Sequence, residues 1–217
     1  TNNHSIYKGK SGIMIVGLDF ANEGFLEKDF EEKFINVARA YVREYISDEA
    51  NVDRIISEYE KNRKKTDQPF YMYNMTIQNH SPYDKDAANF KQPIKIESSK
   101  YDAEANRYLN LIKYSDDSLK QLTGYFEKCK EPTIILFLGD HQPRLTDEFM
   151  NKITNGQYQT WSSEQMMKRY QVPFVIWANY DIKEQHIEKT SMNYIQSILT
   201  KTAGVKMTGY QRFLNEV

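Results

Sequence analysis

The chain has 217 residues, with 29 Lys and Arg against 30 Asp and Glu, and a formal net charge of −1. This length fits a single domain, and a hydrophobic content of 40% is enough for a sizeable core. The balanced charge argues against nucleic acid as a partner, because nucleic-acid-binding domains concentrate positive charge. No apolar run approaches the ~20 residues of a membrane-spanning helix. The single cysteine, Cys129, excludes an intrachain disulfide.

The spacing of apolar residues predicts strands and helices that alternate along the chain. A long polar loop is expected over residues 84–100, and Asp48 is expected to be the N-cap of the second helix. The predicted strands cover residues 11–18, 70–77, 133–138 and 172–177, and the predicted helices cover residues 26–46, 48–65, 103–127, 191–202 and 209–217. This order favours an α/β fold, namely a three-layer α/β/α sandwich around a mostly parallel sheet.

Histidines follow two of the predicted core strands directly. Asp140 and His141 come after the apolar run 133–138, and His80 comes after the run 70–77, where Pro82 is expected to end the strand. If these strands are parallel, the three side chains share the edge of the sheet where α/β proteins bind ligands. An acid beside an imidazole can hold a divalent cation through one oxygen and one nitrogen.

A structural interpretation competes with the functional one for each of these residues. Asp140 could merely cap a strand end, and a single histidine could be a satisfied structural residue. Two histidines in the same topological place favour a site. Asp19, at the end of the first predicted strand, could reach the same edge.

Four stretches of the sequence resemble the sulfatase-like phosphoglycerol transferases, the family of the lipoteichoic acid synthases. They are FYMYNMTIQNHSPY (70–83), YLNLIKYSD (108–116), ILFLGDHQP (135–143) and VPFVIWAN (172–179). The resemblance implies membership of the alkaline phosphatase superfamily, with its α/β/α sandwich. It also implies a threonine nucleophile that takes phosphoglycerol from phosphatidylglycerol and passes it to a cell-envelope polymer or glycan.

Carried over by motif, the resemblance assigns roles to three residues of this chain. Asp140 and His141 would be metal ligands, and the metal would be Mn²⁺, with Mg²⁺ or Zn²⁺ as alternatives. His80 would be a catalytic and substrate-binding residue that contacts the phosphate or the reacting oxygen. By its chemistry alone, Arg144 could pair with a phosphate oxygen, and a surface arginine in a loop is an equal alternative.

The resemblance also implies that parts of the catalytic machinery lie elsewhere. In that family the nucleophile and a further acidic ligand come earlier in the domain, and nothing before residue 69 resembles them. Thr76 lies within a strand pattern and Thr1 is terminal. Residues 1–217 are therefore expected to be a single sulfatase-like fragment, the C-terminal half of a catalytic domain, with no nucleophile. Alone, it should bind metal weakly and turn over nothing.

The parent protein is expected at the extracellular face of a bacterial membrane, held there by segments absent from this chain, with a phospholipid or glycan as substrate. Two alternatives stay open. One is a sulfatase or phosphodiesterase that transfers its ester to water. The other is a non-catalytic cell-surface domain, in which some of the 16 tyrosines stack on glycans or proteins.

Overall fold

The computed structural model describes residues 41–97, 101–154, 156–157 and 160–216, and the backbone of residues 12–16. The described residues contain both strands and helices, as the apolar pattern predicts. In chain order the elements are β1 (Gly12–Val16), β2 (Tyr41–Val42), β3 (Tyr45–Ile46), α1 (Asp48–Arg63), β4 (Tyr71–Asn74), α2 (Ala103–Phe126), β5 (Thr133–Leu138), α3 (Asp147–Thr154), α4 (Ser163–Met167), β6 (Phe174–Ala178), α5 (Met192–Thr202) and α6 (Gly209–Glu216).

Four strands form one sheet in the order β4-β1-β5-β6. The first three are parallel, and β6 runs antiparallel to β5. The prediction of a mostly parallel sheet is therefore confirmed. In the register, Val16 of β1 lies opposite both Asn74 of β4 and Phe137 of β5. The carboxyl ends of β4 and β5 consequently meet at the same edge.

Helices cover both faces of the sheet, which confirms the three-layer sandwich. Alternate residues of β5 point to opposite faces. Ile135 packs with α1 and α2, in a core that includes Ile55 and Leu122. Ile134 and Leu136 pack on the other face with Leu199 of α5. The strand is buried on both sides because both of its faces are apolar, as expected for a central strand.

Two local predictions are wrong. The predicted helix over residues 26–46 falls partly outside the described residues, and its last part is a hairpin, because Arg43 adopts a left-handed conformation (φ 57°) between β2 and β3. The N-cap of α1 is Ser47, whose hydroxyl accepts a hydrogen bond from the amide of Ala50 at 3.0 Å. Asp48 is instead the first residue of the helix, with its carboxyl group buried.

Residues 75–97, which follow β4, contain no helix or strand. β4 ends at Asn74, so Pro82 lies well beyond the strand that it was predicted to end. Side chains of α2 fix part of this loop, since Asn110 bonds both the amide and the carbonyl of Ile94, at 2.9 and 3.0 Å. Among the described residues, no helix combines the length and the apolar character that a membrane span requires.

Candidate functional site

The segments that follow β4 and β5 carry the residues selected from the sequence. His80 lies six residues beyond the end of β4, and Asp140 and His141 lie just beyond β5. Because β4 and β5 run parallel on either side of β1, both segments leave the sheet at its carboxyl edge. Asp19, the further candidate, lies outside the described residues.

Asp140 and His141 form a close pair of exposed side chains. His141 Nδ1 lies 2.9 Å from the carbonyl oxygen of Gln142, and a carbonyl can only accept, so Nδ1 carries the proton. In the neutral ring, Nε2 then has its lone pair free, and it lies 3.3 Å from Asp140 Oδ2. The other carboxylate oxygen, Oδ1, accepts the backbone amide of His141 at 2.8 Å.

This pair fits two ligands of a divalent cation. Two ligand atoms at ~2.1 Å from one ion are separated by ~3.0 Å at an octahedral angle and by ~3.4 Å at a tetrahedral angle, and the distance of 3.3 Å between His141 Nε2 and Asp140 Oδ2 lies between these values. A ligating histidine also usually donates its second ring nitrogen to a carbonyl or carboxylate, as His141 does. Within the described part of the chain, no group of three or more His, Cys, Asp or Glu converges on one point, so the pair is an incomplete ligand set.

Gly139 sets the direction in which this pair leaves the sheet. Its amide donates to the carbonyl oxygen of Pro173 at 3.1 Å, which extends the pairing between β5 and β6 by one step. A Cβ atom at this position would lie 3.3 Å from Cβ of Val172. The two backbones approach closely because glycine has no side chain, and Asp140 follows from that fixed point.

His80 lies in a turn with several backbone anchors. Its amide donates to the carbonyl oxygen of Ile77 at 2.9 Å. Its ring Nδ1 lies 2.7 Å from the carbonyl oxygen of Ser81 and therefore carries the proton in the neutral ring. The ring meets Tyr45 edge-on, with 5.8 Å between centroids. This arrangement leaves Nε2 of His80 as a hydrogen-bond acceptor.

The charge of Asp140, which follows β5, acts on tyrosines near the turn that carries His80. Tyr83, three residues after His80, donates its hydroxyl to the carbonyl oxygen of Asn79 at 2.8 Å. Burial raises the pKa of Tyr83 to about 12, and the negative charge of Asp140 adds to the shift. Burial also raises the pKa of Tyr108, and Asp140 contributes again. Asp140 therefore lies within electrostatic range of the turn that carries His80.

Two residues beneath this turn, Arg43 and Asp48, are not among the site residues selected from the sequence. The guanidinium of Arg43 donates to the carbonyl oxygens of Gln78 and His80 at 2.8 and 2.7 Å. In the sequence, Arg43 lies in the stretch YVREYI (41–46), whose spacing predicted the end of a helix and gave no signal of this role.

The buried carboxyl group of Asp48 connects to the same turn through a serine of α2. Ser115 donates its hydroxyl to Asp48 Oδ2 and accepts the side-chain amide of Asn79 at 2.7 Å. Burial raises the pKa of Asp48 to about 6, although the hydroxyls of Ser115 and Thr76 oppose the shift. The side chain of Asn79, which directly precedes His80, is thus fixed by a hydrogen bond to the buried Ser115, which in turn bonds Asp48.

Arg144 lies three residues after His141 and is exposed. It is placed before α3 and stays a candidate for pairing with an anion.

Comparison with known proteins identifies the family. The sequence model of the sulfatase family matches residues 3–205. The chain belongs to the sulfatase family. The match begins well before residue 69, where the motif resemblance started. The family resemblance inferred from the motifs is confirmed.

Curated relatives of this sulfatase-family chain are bacterial proteins of greater length. It is 28% identical over 181 residues to a Rhizobium meliloti (strain 1021) protein assigned to cyclic β-1,2-glucan modification, matching 80% of this chain and 27% of the relative. It is 35% identical over 86 residues to the lipoteichoic acid synthase-like YvgJ of Bacillus subtilis (strain 168), matching 37% of this chain and 13% of the relative. The chain thus spans about a quarter or less of these relatives.

Solved structures share the fold. The phosphoglycerol transferase GacH of Streptococcus pyogenes, in complex with sn-glycerol-1-phosphate, superposes with a TM-score of 0.64 at 17% identity, covering 97% of this chain and 54% of GacH. A Vibrio parahaemolyticus protein of the alkaline phosphatase superfamily superposes with a TM-score of 0.55 at 24% identity, covering 89% of this chain and 44% of that protein. These similarities establish the α/β fold.

Proposed function

We propose that this chain supplies the metal- and phosphate-binding half of a transferase that moves phosphoglycerol, or a related phosphodiester group, from a lipid donor to a cell-envelope glycan or polymer. Asp140 and His141 would hold the divalent cation, for which Mn²⁺ is the first candidate. His80 and Arg144 would contact the transferred group. The nucleophile would come from a part of the enzyme outside residues 1–217, at the extracellular face of a bacterial membrane.

One observation carries this proposal. Both His80 and His141 hold Nδ1 against a backbone carbonyl oxygen, so in each neutral ring Nε2 carries the lone pair, and Nε2 of His141 lies 3.3 Å from Asp140 Oδ2. Buried structural histidines usually have both nitrogens satisfied, whereas these rings are exposed. An exposed, oriented imidazole beside a carboxylate suits cation binding or proton transfer.

The residue types present suit phosphodiester chemistry. A bound divalent cation neutralises charge on the phosphoryl oxygens and lowers the pKa of a hydroxyl nucleophile. In its neutral form, His80 can accept a proton at Nε2 from the attacking hydroxyl, because Nδ1 already donates to Ser81. Once protonated, the same nitrogen can donate to the leaving oxygen. Arg144 can form charge-assisted hydrogen bonds to the phosphate.

The family relationship supports the reaction class, and the named relatives support the transfer. GacH is a phosphoglycerol transferase, and YvgJ is described as lipoteichoic acid synthase-like. The similarity to YvgJ covers little more than a third of this chain. The identities of the lipid donor and of the acceptor are therefore part of the proposal.

The proposal is tested in the complete enzyme with phosphatidylglycerol vesicles and Mn²⁺, by measuring diacylglycerol release with and without a glycan acceptor. We expect release that requires the acceptor, and a loss of about 100-fold or more in His80→Gln. His186→Gln is the matched control, since His186 is exposed and lies after β6, away from the β4 and β5 segments. Diacylglycerol release at the same rate with and without the acceptor would show that the protein is a hydrolase instead. No release by the wild type would favour a binding domain.

A further inference from the structure

We propose that Arg43 is a positioning residue for His80, whose guanidinium fixes the turn over residues 78–82 and thereby the direction of the His80 ring. This inference rests on the proposed function, because it gives His80 a role that requires a defined orientation. It adds a residue from the β2–β3 hairpin to the site, from a part of the chain in which the sequence motifs indicate nothing.

The hydrogen bonds of the Arg43 side chain go to the backbone of this turn. Its two terminal nitrogens donate to three backbone carbonyl oxygens: those of Pro82 at 2.5 Å, Gln78 at 2.8 Å and His80 at 2.7 Å. Its guanidinium also lies 5.1 Å from the ring centre of Tyr45 and 5.6 Å from that of Tyr83. With only 8% of the residue exposed, these contacts are shielded from water and hence strengthened.

The backbone of Arg43 is held as firmly as its side chain. Its amide donates to Asn89 Oδ1 at 3.1 Å, and Asn89 Nδ2 donates back to the carbonyl oxygen of Arg43 at 3.0 Å. The positive φ of 57° is costly for a residue other than glycine. An arginine at a position that favours glycine is best explained by a requirement for its side chain.

The contacts of Arg43 lead directly to the His80 ring. Arg43 fixes the carbonyl of His80 itself, and it stacks on Tyr45, whose hydroxyl donates to the carbonyl oxygen of Ser81 at 2.9 Å. That same carbonyl accepts Nδ1–H of His80. The carbonyl oxygen of Ser81 therefore selects the tautomer of His80. Arg43 fixes the backbone on both sides of Ser81, because it bonds the carbonyl oxygens of His80 and Pro82.

Lysine cannot replace this function, because an ammonium group is a point charge without the planar fork that reaches three carbonyls at once. Arg43→Lys keeps the charge and most of the apolar stem, and so separates geometry from charge. Arg63→Lys is the matched control. Arg63 also donates to two backbone carbonyls, those of Thr66 and Gln68 at 2.6 and 3.0 Å, but at the far end of α1.

The test uses ¹⁵N nuclear magnetic resonance on the 217-residue chain, and reads the imidazole nitrogen shifts of His80 and the exchange rate of its amide. In the wild type we expect the tautomer protonated at Nδ1. In Arg43→Lys we expect averaged nitrogen shifts and amide exchange faster by about tenfold or more, with thermal unfolding and the remaining spectrum close to those of the wild type. Arg63→Lys should leave both His80 readouts unchanged.

A second variant keeps the test decisive if Arg43→Lys unfolds. Tyr45→Phe removes only the hydroxyl that donates to Ser81, and we expect it to shift the same nitrogen signals by a smaller amount. Unchanged His80 signals in folded Arg43→Lys, or in Tyr45→Phe when Arg43→Lys does not fold, would overturn the inference. Because these readouts need no turnover, an inactive enzyme would contradict the proposed function and leave the positioning role of Arg43 standing.

Discussion

At the scale of single residues, the most informative group is the buried carboxyl of Asp48. It sits at the start of α1, where the helix dipole favours a negative charge, yet burial outweighs this effect and raises its pKa to about 6 from 3.8. A carboxyl group in this state titrates in a pH range where most carboxylates are fully ionised. Its proton is therefore linked to the stability of the fold and to the turn that Asn79 and Ser115 connect to it.

The predicted consequence is a pH-dependent effect of Asp48→Asn. The folded chain holds this proton more tightly than the unfolded chain, so the contribution of Asp48 is most favourable below pH 3.8 and is lost as the pH rises through about 6. The stability of Asp48→Asn relative to the wild type should rise by roughly 2–3 kcal/mol between pH 4 and pH 7. Urea unfolding across this range measures it. Asp67→Asn, at an exposed position, should show a flat difference, and a flat difference for Asp48→Asn would refute the account.

The close approach of the backbone at Gly139 to Val172 can be tested by adding a side chain at Gly139. In Gly139→Ala the new Cβ would approach Val172 Cβ to 3.3 Å, and neither atom can move without its backbone. We expect a loss of about 1 kcal/mol in the free energy of unfolding, as in mild overpacking, together with displaced signals for Asp140 and His141. Gly124→Ala is the control, because its Cβ would meet nothing within 4 Å. Equal effects of the two substitutions would contradict the close approach.

At the scale of elements, α2 shows both the strength and the limit of sequence patterns. Its bounds were predicted to within one residue, because it begins at the N-cap Asp102 and carries a long amphipathic repeat. Its apolar spacing alone does not decide which residues are buried, since Leu109 and Ile112 are 38% and 40% exposed. Asn106 and Asn110 are buried instead, because their amides bond the backbone of the loop at Ile96 and Ile94. A hydrophobic pattern cannot reveal polar residues that are buried by pairing with a distant loop.

Two of the leucines of α2, Leu122 and Leu109, test this picture directly. Leu122 is 2% exposed within the core between α2 and the sheet, so Leu122→Ala should cost about 2–5 kcal/mol in unfolding free energy. Leu109→Ala, the same change at 38% exposure, should cost less than about 1 kcal/mol. Denaturant unfolding of both variants provides the comparison. Similar losses at the two positions would show that the helix presents a different face to the sheet.

At the scale of the whole molecule, the fold class followed from the sequence more fully than the site did. An apolar run such as residues 133–138 is typical of a central strand, and parallel strands bring their carboxyl ends together, so the exit of the two histidine-bearing segments at one edge of the sheet was predictable. The residues that support the His80 segment from beneath were not predictable. Arg43 and Asp48 act through contacts over 30 or more positions in the chain, and no local pattern encodes such contacts.

The central claim is that Asp140 and His141 bind a divalent cation next to His80. It is tested most directly by adding substoichiometric Mn²⁺ to the 217-residue chain and recording which resonances its unpaired electrons broaden. The account predicts weak binding, with the strongest broadening at Asp140 and His141, clear broadening at His80 and none at His186. This pattern should vanish in Asp140→Asn and persist in Asp67→Asn. Broadening centred elsewhere, or a pattern that survives Asp140→Asn, would contradict the account.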